Sequence, residues 1–141
     1  MLLNHEALYE VVPQDLIMKH SIENRYVGEL RTSSTHIKSG KNIITDAPVD
    51  NNGRGEAFAP TDLVSSALCS CITTVMGICA EKGKFKMPNS KARITKVMSA
   101  SPRKISEIRI EINFEKNSLT DIQKRKLMSV GKNCPVAKSL N

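Results

Sequence analysis

The sequence predicts an α+β fold, and three observations predict it. A run from Leu63 to Ala80 carries no charged residue and is too long for a strand. Ile108, Ile110, Ile112 and Phe114 alternate cleanly with Arg109, Glu111 and Asn113, the period of a half-buried strand. After Ser118 an amphipathic pattern returns, with Leu119, Ile122, Leu127 and Val130 on one side. Strands, a buried helix, strands and a second helix follow one another without the strict alternation of a parallel α/β sheet. At 141 residues, with no repeat, linker or low-complexity segment, the chain is expected to form one domain over 1–141.

Taken in order, residues 7–30 contain three strand-like stretches, ALYEVV, IMKHSI and RYVGEL, before a turn. A short strand is expected from about Asn42 to Thr45, followed by DAPVDNNGRGEAFAP, whose Asp, Asn, Gly and Pro mark a substantial loop. Pro60 suits a first helical position, and Thr61 and Asp62 fall in the first turn, where a carboxylate meets the positive end of the helix dipole. The helix should run from Pro60 to Lys82 and stop at Gly83. It is apolar or small nearly all round and so belongs at the centre of the fold. Residues 92–98 and 108–114 read as two further strands. Ser118 with Asp121 resembles a capping box that opens the second helix, which Gly131 would end. Cys134 stands before Pro135, where a short last helix could begin.

Charge and composition exclude several function classes. Lys and Arg exceed Asp and Glu by 21 to 14, a net +7, but the basic residues come in short scattered groups. Aromatic residues make up 4% and Trp is absent, so base-stacking platforms are not expected. The reading is a solvated basic surface and no nucleic-acid partner. Residues 63–80 reach the lower length limit of a membrane span. Six polar or glycine positions, from Ser65 to Gly77, dilute them, so a core helix is expected and no membrane partner. The opening MLLNHEALYE lacks the basic and apolar regions of a signal peptide. The four cysteines lack the dense spacing of a secreted disulfide scaffold, and a cytoplasmic setting is expected.

Those cysteines are the chemistry-bearing candidates. On a helical wheel Val64, Leu68, Cys71, Val75 and Cys79 form one stripe, and Cys69 points about 160° from Cys71. Cys69 and Cys71 cannot pair within one helix, and their spacing is not that of a thioredoxin-type motif. All three helical cysteines can be read as small core residues. Cys134 differs, because N–H groups at the start of a following helix would favour a thiolate. His5, His20 and His36 lie far from the cysteines in sequence, and no ligand spacing for zinc exists, so no metal is expected.

The stretch FAPTDLVSSALCSC, the later Cys134-Pro135-Val136 and the pattern TDAPVDNNGRGE before Pro60 together resemble the osmotically inducible protein C / organic hydroperoxide resistance (OsmC/Ohr) family, in its OsmC-like branch. The similarity covers most of the chain. It implies antiparallel strands wrapped around two central helices in an intertwined homodimer, with the active site near the subunit interface. It implies that Cys71 attacks an organic hydroperoxide, that Cys134 resolves the product to a disulfide, and that an external thiol or dithiol restores both. Cys69 then stands where the family has a small residue, and no cofactor is implied. Hydroperoxide-specific members carry a glutamate directly after the proline, and here that residue is Thr61, with Asp62 one step on. The family's arginine comes from upstream. Arg31 and Arg54 are the candidates, and a plain surface role is equally open to either.

Such a helper would matter. Lowering a thiol pKa from about 8.5 to about 6.5 raises the thiolate fraction at neutral pH about 25-fold. Intrinsic nucleophilicity falls about 8-fold if a Brønsted slope of about 0.4–0.5 applies. The net gain is about threefold. A fast peroxidase therefore needs a group that orients the peroxide and stabilises the departing oxygen. The alternative is a protein of the same fold without catalysis, binding a small apolar or acyl ligand at the dimer interface.

Overall fold

The computed structural model describes residues 20–140. The strand expected at 7–12, and residues 17–19 of the one expected at 17–22, lie outside the described residues. Strands β1 (Ile22–Gly28), β2 (Arg31–His36) and β3 (Asn42–Asp46) form an antiparallel sheet in that order. Strand β2 reads RTSSTH and was invisible to an apolar-periodicity argument. It holds by cross-strand hydroxyl and amide contacts instead. Thr32 and Thr45 share a hydrogen bond between their Oγ1 atoms at 2.6 Å, and Asn24 Nδ2 donates to Ser34 Oγ at 2.6 Å. The β1–β2 turn takes Gly28, Glu29 and Leu30 through positive φ, which is why RYVGEL ends as a strand at Gly28.

Helix α1 (Pro60–Lys82) has the predicted bounds. Pro60 supplies the fixed φ of the first turn, and Asp62 Oδ2 accepts from the Ala59 N–H at 2.9 Å. The Gly83 N–H closes the last turn on Cys79 O. A two-stranded antiparallel ribbon follows, β4 (Ser90–Ala100) with β5 (Arg103–Phe114). Along β5, Ile108, Ile110, Ile112 and Phe114 are half-buried and the residues between them exposed, as the alternation requires. The imperfect alternation of β4 has a physical cause, a register shift between Val97 and Met98.

Helix α2 (Asp121–Lys132) corrects two expectations. Its cap is Thr120, not Ser118. The Gln123 N–H donates to Thr120 Oγ1 at 3.2 Å, and the Thr120 N–H donates to Gln123 Oε1 at 2.9 Å, a complete reciprocal box two residues later. Gly131 does not end the helix. It is buried inside it, and a Cβ there would come 2.7 Å from Met76 Cε and 3.1 Å from Ile72 Cγ2, so its role is close approach of α2 to α1. Helix α3 (Pro135–Leu140) begins where Cys134-Pro135 suggested.

Helix α1 is central, packed against β4, β5, α2 and α3. Met76, Cys79, Ala80 and Leu127 make the buried core, closed by Ile72, Ile112, Phe114 and Val130. By length and composition alone α1 could cross a membrane (mean hydropathy 1.9), and here one side of it lies in the core of this α+β fold. That side carries Ser65, Cys69, Met76 and Ala80; the opposite side, Ala67, Ser70, Thr74 and Ile78, is open. The stripe through Cys71 is therefore the edge of the open side rather than the middle of the chain's own core.

Candidate functional site

Two apolar clefts lie along α1, and Cys71 falls between them in sequence. Val64 and Leu68 line one of about 300 Å³ together with Ile105 and Ile108 of β5 and Ala137 and Leu140 of α3. Val75, Ile78 and Cys79 line the other, of about 390 Å³, with Val130 and Asn133 from the α2 end. The C-terminal segment repeats this order, Asn133 on one cleft, Ala137 on the other, and Cys134 between. Cys71 and Cys134 thus each fall, in sequence, between residues that line the same two clefts.

Their surroundings differ. Cys71 is half-buried, open to a small reagent, while Cys134 is 1% exposed and its Sγ accepts from the Ala137 N–H at 3.4 Å. Cys69 is buried on the core side, and desolvation pushes its thiol pKa up, which suits an inert packing residue. All four cysteines are free thiols. Among the described residues no cluster of His, Cys, Asp and Glu could hold a metal ion.

Asp62 sits at the N-terminus of α1, nine positions before Cys71, which is roughly 13–14 Å along the axis. Within one chain it cannot reach that sulfur. Its partner is Lys96 of β4, whose Nζ lies 2.7 Å from Asp62 Oδ1 and donates to Thr61 Oγ1 at 2.8 Å. The hydrogen bond from Lys96 is the main reason the Asp62 carboxyl titrates below its ordinary value; desolvation opposes it and the Ala59 N–H assists. Sequence reasoning missed Lys96. The available signal was its phase, since it shares strand parity with Ala92, Ile94 and Met98.

Arg31 lies on β2 with its Nε 2.7 Å from Asp46 Oδ1 and its Nη2 2.8 Å from Asp46 Oδ2 and 3.0 Å from Glu56 Oε2. Asp46 is 1% exposed and also accepts from the Glu56 N–H at 3.1 Å. The two-pronged pair ties the end of β3 to the loop before α1. It raises the Arg31 pKa and, chiefly through the Arg31 hydrogen bond, lowers that of Asp46. Arg54, in the same loop, pairs with Glu29 of the β1–β2 turn. Neither arginine is brought to Cys71 within the chain by these contacts.

Asp46 and Asp62 have folded pKa values below their ordinary 3.8, so each binds protons more readily when unfolded. The stability they contribute is complete above about pH 4 and is lost as pH falls through the lowered folded values. Asp46→Asn should lower the melting temperature at neutral pH and flatten its decline below about pH 4. Thermal melts from pH 7 to pH 2 on both proteins check this; parallel curves would refute it.

The OsmC-like protein family pattern matches residues 53–141. A protein from Psychrobacter arcticus 273-4, described as an osmotic stress induced and detoxification response protein, is 44% identical in sequence. It superposes with a TM-score of 0.82 over 86% of this chain and 88% of its own. An OsmC-like protein from Mycoplasma pneumoniae (17% identity, TM-score 0.70, 89% of each chain) shares the fold. So does an organic hydroperoxide resistance protein OsmC from Legionella pneumophila (14% identity, TM-score 0.64, 88% of this chain and 91% of that one). No protein of curated function matches the sequence. The antiparallel strands, the central helix with its uncharged run from Leu63 to Ala80 and the match over 53–141 make this chain a member of the OsmC-like protein family.

Proposed function

We propose that the protein is a thiol-dependent peroxidase that reduces organic hydroperoxides to alcohols through Cys71 and Cys134. The observation that carries this is that Cys71, half-buried on α1, and Cys134, buried just before α3, each fall in sequence between residues that line the same two apolar clefts. Membership in a family that includes a protein named for organic hydroperoxide resistance supports a redox role.

The Cys71 thiolate attacks the distal oxygen of R–O–O–H. The S–O bond forms as O–O breaks, and the leaving alkoxide takes a proton to become the alcohol. Sulfur has then lost two electrons and stands as a sulfenic acid. The Cys134 thiol displaces its hydroxyl, giving a Cys71–Cys134 disulfide and one water. Two thiol equivalents from an external thiol or dithiol return both residues to the start.

The site is completed by a second copy of the chain in a homodimer. Asp62 stands too far from Cys71 to serve it in one chain, and the side of α1 next to Cys71 is open, small and uncharged, suited to a close-packed partner helix. Thr61 stands in place of the glutamate that the hydroperoxide-specific members carry, and Lys96 binds both Thr61 and Asp62. Arg31 and Arg54, both engaged by carboxylates, hold the loop that leads into α1.

Titration of the reduced protein with cumene hydroperoxide, followed by intact mass and disulfide mapping, tests the reading. Loss of 2 Da per chain at one equivalent (the order of a single two-electron oxidation), a Cys71–Cys134 link and slower reaction with hydrogen peroxide are expected. Sedimentation of the same sample should show two chains. Slow, unselective oxidation would leave the binding protein without catalysis as the better account.

A further inference from the structure

Helix α3 starts from the sulfur to which the peroxidase reading gives the resolving step. It spans six residues, none of them buried. An isolated helix of that length does not persist in water, so α3 depends on what pins it. One support is apolar, since Ala137 and Leu140 line a cleft with Val64 and Leu68 of α1 and Ile105 and Ile108 of β5. The other is a cap. Cys134 stands directly before Pro135, and its Sγ accepts the Ala137 N–H at 3.4 Å, the bond that an N-cap oxygen makes to the third helical residue.

The two duties of that sulfur conflict. As a free thiol, 1% exposed, Cys134 satisfies an N–H in the first turn of α3 that the helix itself leaves unpaired. In a disulfide it stands about 2 Å from the Cys71 sulfur, which belongs to a different helix. The apolar support is thin, because Leu140 is 50% exposed and Val136 and Ala137 are only half-buried. A short helix with so little buried opens at low cost once its cap is withdrawn.

We propose that α3 is a redox latch, shut by the Cys134 thiol and released when Cys134 is tied to Cys71. The two thiols give two electrons and two protons to an organic hydroperoxide, which leaves as the alcohol and water, and the disulfide remains. The Cys134 sulfur is then drawn to α1, the Ala137 N–H loses its acceptor, and α3 lifts from the cleft. The reduced protein keeps its resolving thiol covered. The oxidised protein uncovers the sulfur pair, so the reductant finds its target only when there is a bond to cleave. The inference rests on the peroxidase reading for its oxidant and says how that cycle is regulated.

The test is amide hydrogen exchange of the full-length protein, read on peptides covering 136–140. The disulfide is made with diamide, a two-electron oxidant that involves no peroxide chemistry. Exchange in 136–140 should quicken at least about threefold on oxidation, the weight of one lost helix cap, while peptides from the middle of α1 stay unchanged. Cys134→Ala, with neither cap nor disulfide, should exchange fast with or without diamide. Cys134→Ser, whose hydroxyl caps as the thiol does, should stay slow in both conditions. Leu140→Ala adds a check on access. It should speed alkylation of Cys134 by iodoacetamide in the reduced protein a few-fold, and alter reduction of the disulfide by dithiothreitol less than about twofold, since α3 is already released there.

Equal exchange in the reduced and oxidised proteins, or slow exchange in Cys134→Ala, would overturn the latch. So would faster disulfide reduction in Leu140→Ala, which would mean that α3 stays shut after oxidation. A diamide-made Cys71–Cys134 link that frees α3, in a protein that cumene hydroperoxide does not oxidise, would keep the latch and sink the peroxidase. A link made by cumene hydroperoxide with α3 undisturbed would do the reverse. Failure of diamide to join Cys71 to Cys134 would remove both.

Discussion

With Cys71→Ser, consumption of organic hydroperoxide falls on the order of a thousandfold or more, because a serine hydroxyl is not ionised at neutral pH and cannot attack the O–O bond. Cys134→Ser behaves differently. Its first turnover remains, since Cys71 is still open to the reagent, but the sulfenic acid has no thiol to condense with. Stopped-flow peroxide consumption should show a burst of one equivalent per chain, then a stall, with a mass gain of one oxygen on Cys71 that a dimedone-type probe captures. Excess peroxide then carries Cys71 to the sulfinic acid, an irreversible end. Cys69→Ser is the control, because its buried thiol faces the core and should leave the kinetics unchanged. A Cys134→Ser protein that cycles at the wild-type rate would refute the resolving role.

Leu127→Ala is the largest stability effect expected. Leu127 is 1% exposed on α2 and packs against Met76, Cys79 and Ala80 of α1. Truncating it removes three carbons' worth of transfer free energy and leaves a cavity, together about 3 kcal/mol. That is a large share of the roughly 5–15 kcal/mol that holds a domain together. Urea unfolding should show the midpoint lowered by more than about 1 M with little change in slope. Ile122→Ala on the same helix, 71% exposed, should shift it by less than about 0.5 kcal/mol. The large effect has a functional edge, since α2 leads directly into Cys134. A helix loosened against α1 would let the resolving thiol wander and allow overoxidation of Cys71. Equal midpoints for the two variants would show that the α1–α2 contact is not the core.

Much of this was legible in the residues, for reasons that can be named. α1 announces itself because Pro60, Lys82 and Gly83 punctuate a run that no other structure could accommodate. β5 does so because strict alternation has one solution. β2 does not, because RTSSTH is ordered by hydroxyl and amide contacts with its neighbours rather than by burial. The α2 cap slipped by two residues because Ser118 and Thr120 both head plausible boxes, and it is the Thr120–Gln123 one that closes. Gly131 looked like a stop because glycine at a helix end usually is one; its true constraint, the Met76 side chain, is 55 positions away (131 − 76 = 55). Among site residues, Cys71 and Cys134 could be singled out by motif resemblance. Lys96 and Asp46 could not, because an ion pair between distant positions leaves no local periodicity behind.

The first sheet holds a last consequence. Ile22, Tyr26, Val27, Ile43 and Ile44 are each about half exposed or more, on both faces, and little of the helical half touches them. Three strands with no core of their own are marginal in water. On the two-copy reading, this three-stranded sheet reaches its full order only when another chain supplies the missing wall. Folding and assembly then become one event, and the stability of the strands is set by protein concentration as much as by sequence. A lone chain, fresh from synthesis, would carry its thiols in an unfinished site. On that reading the reactive sulfur would acquire its surroundings only once two chains had met, and the chemistry would switch on with assembly.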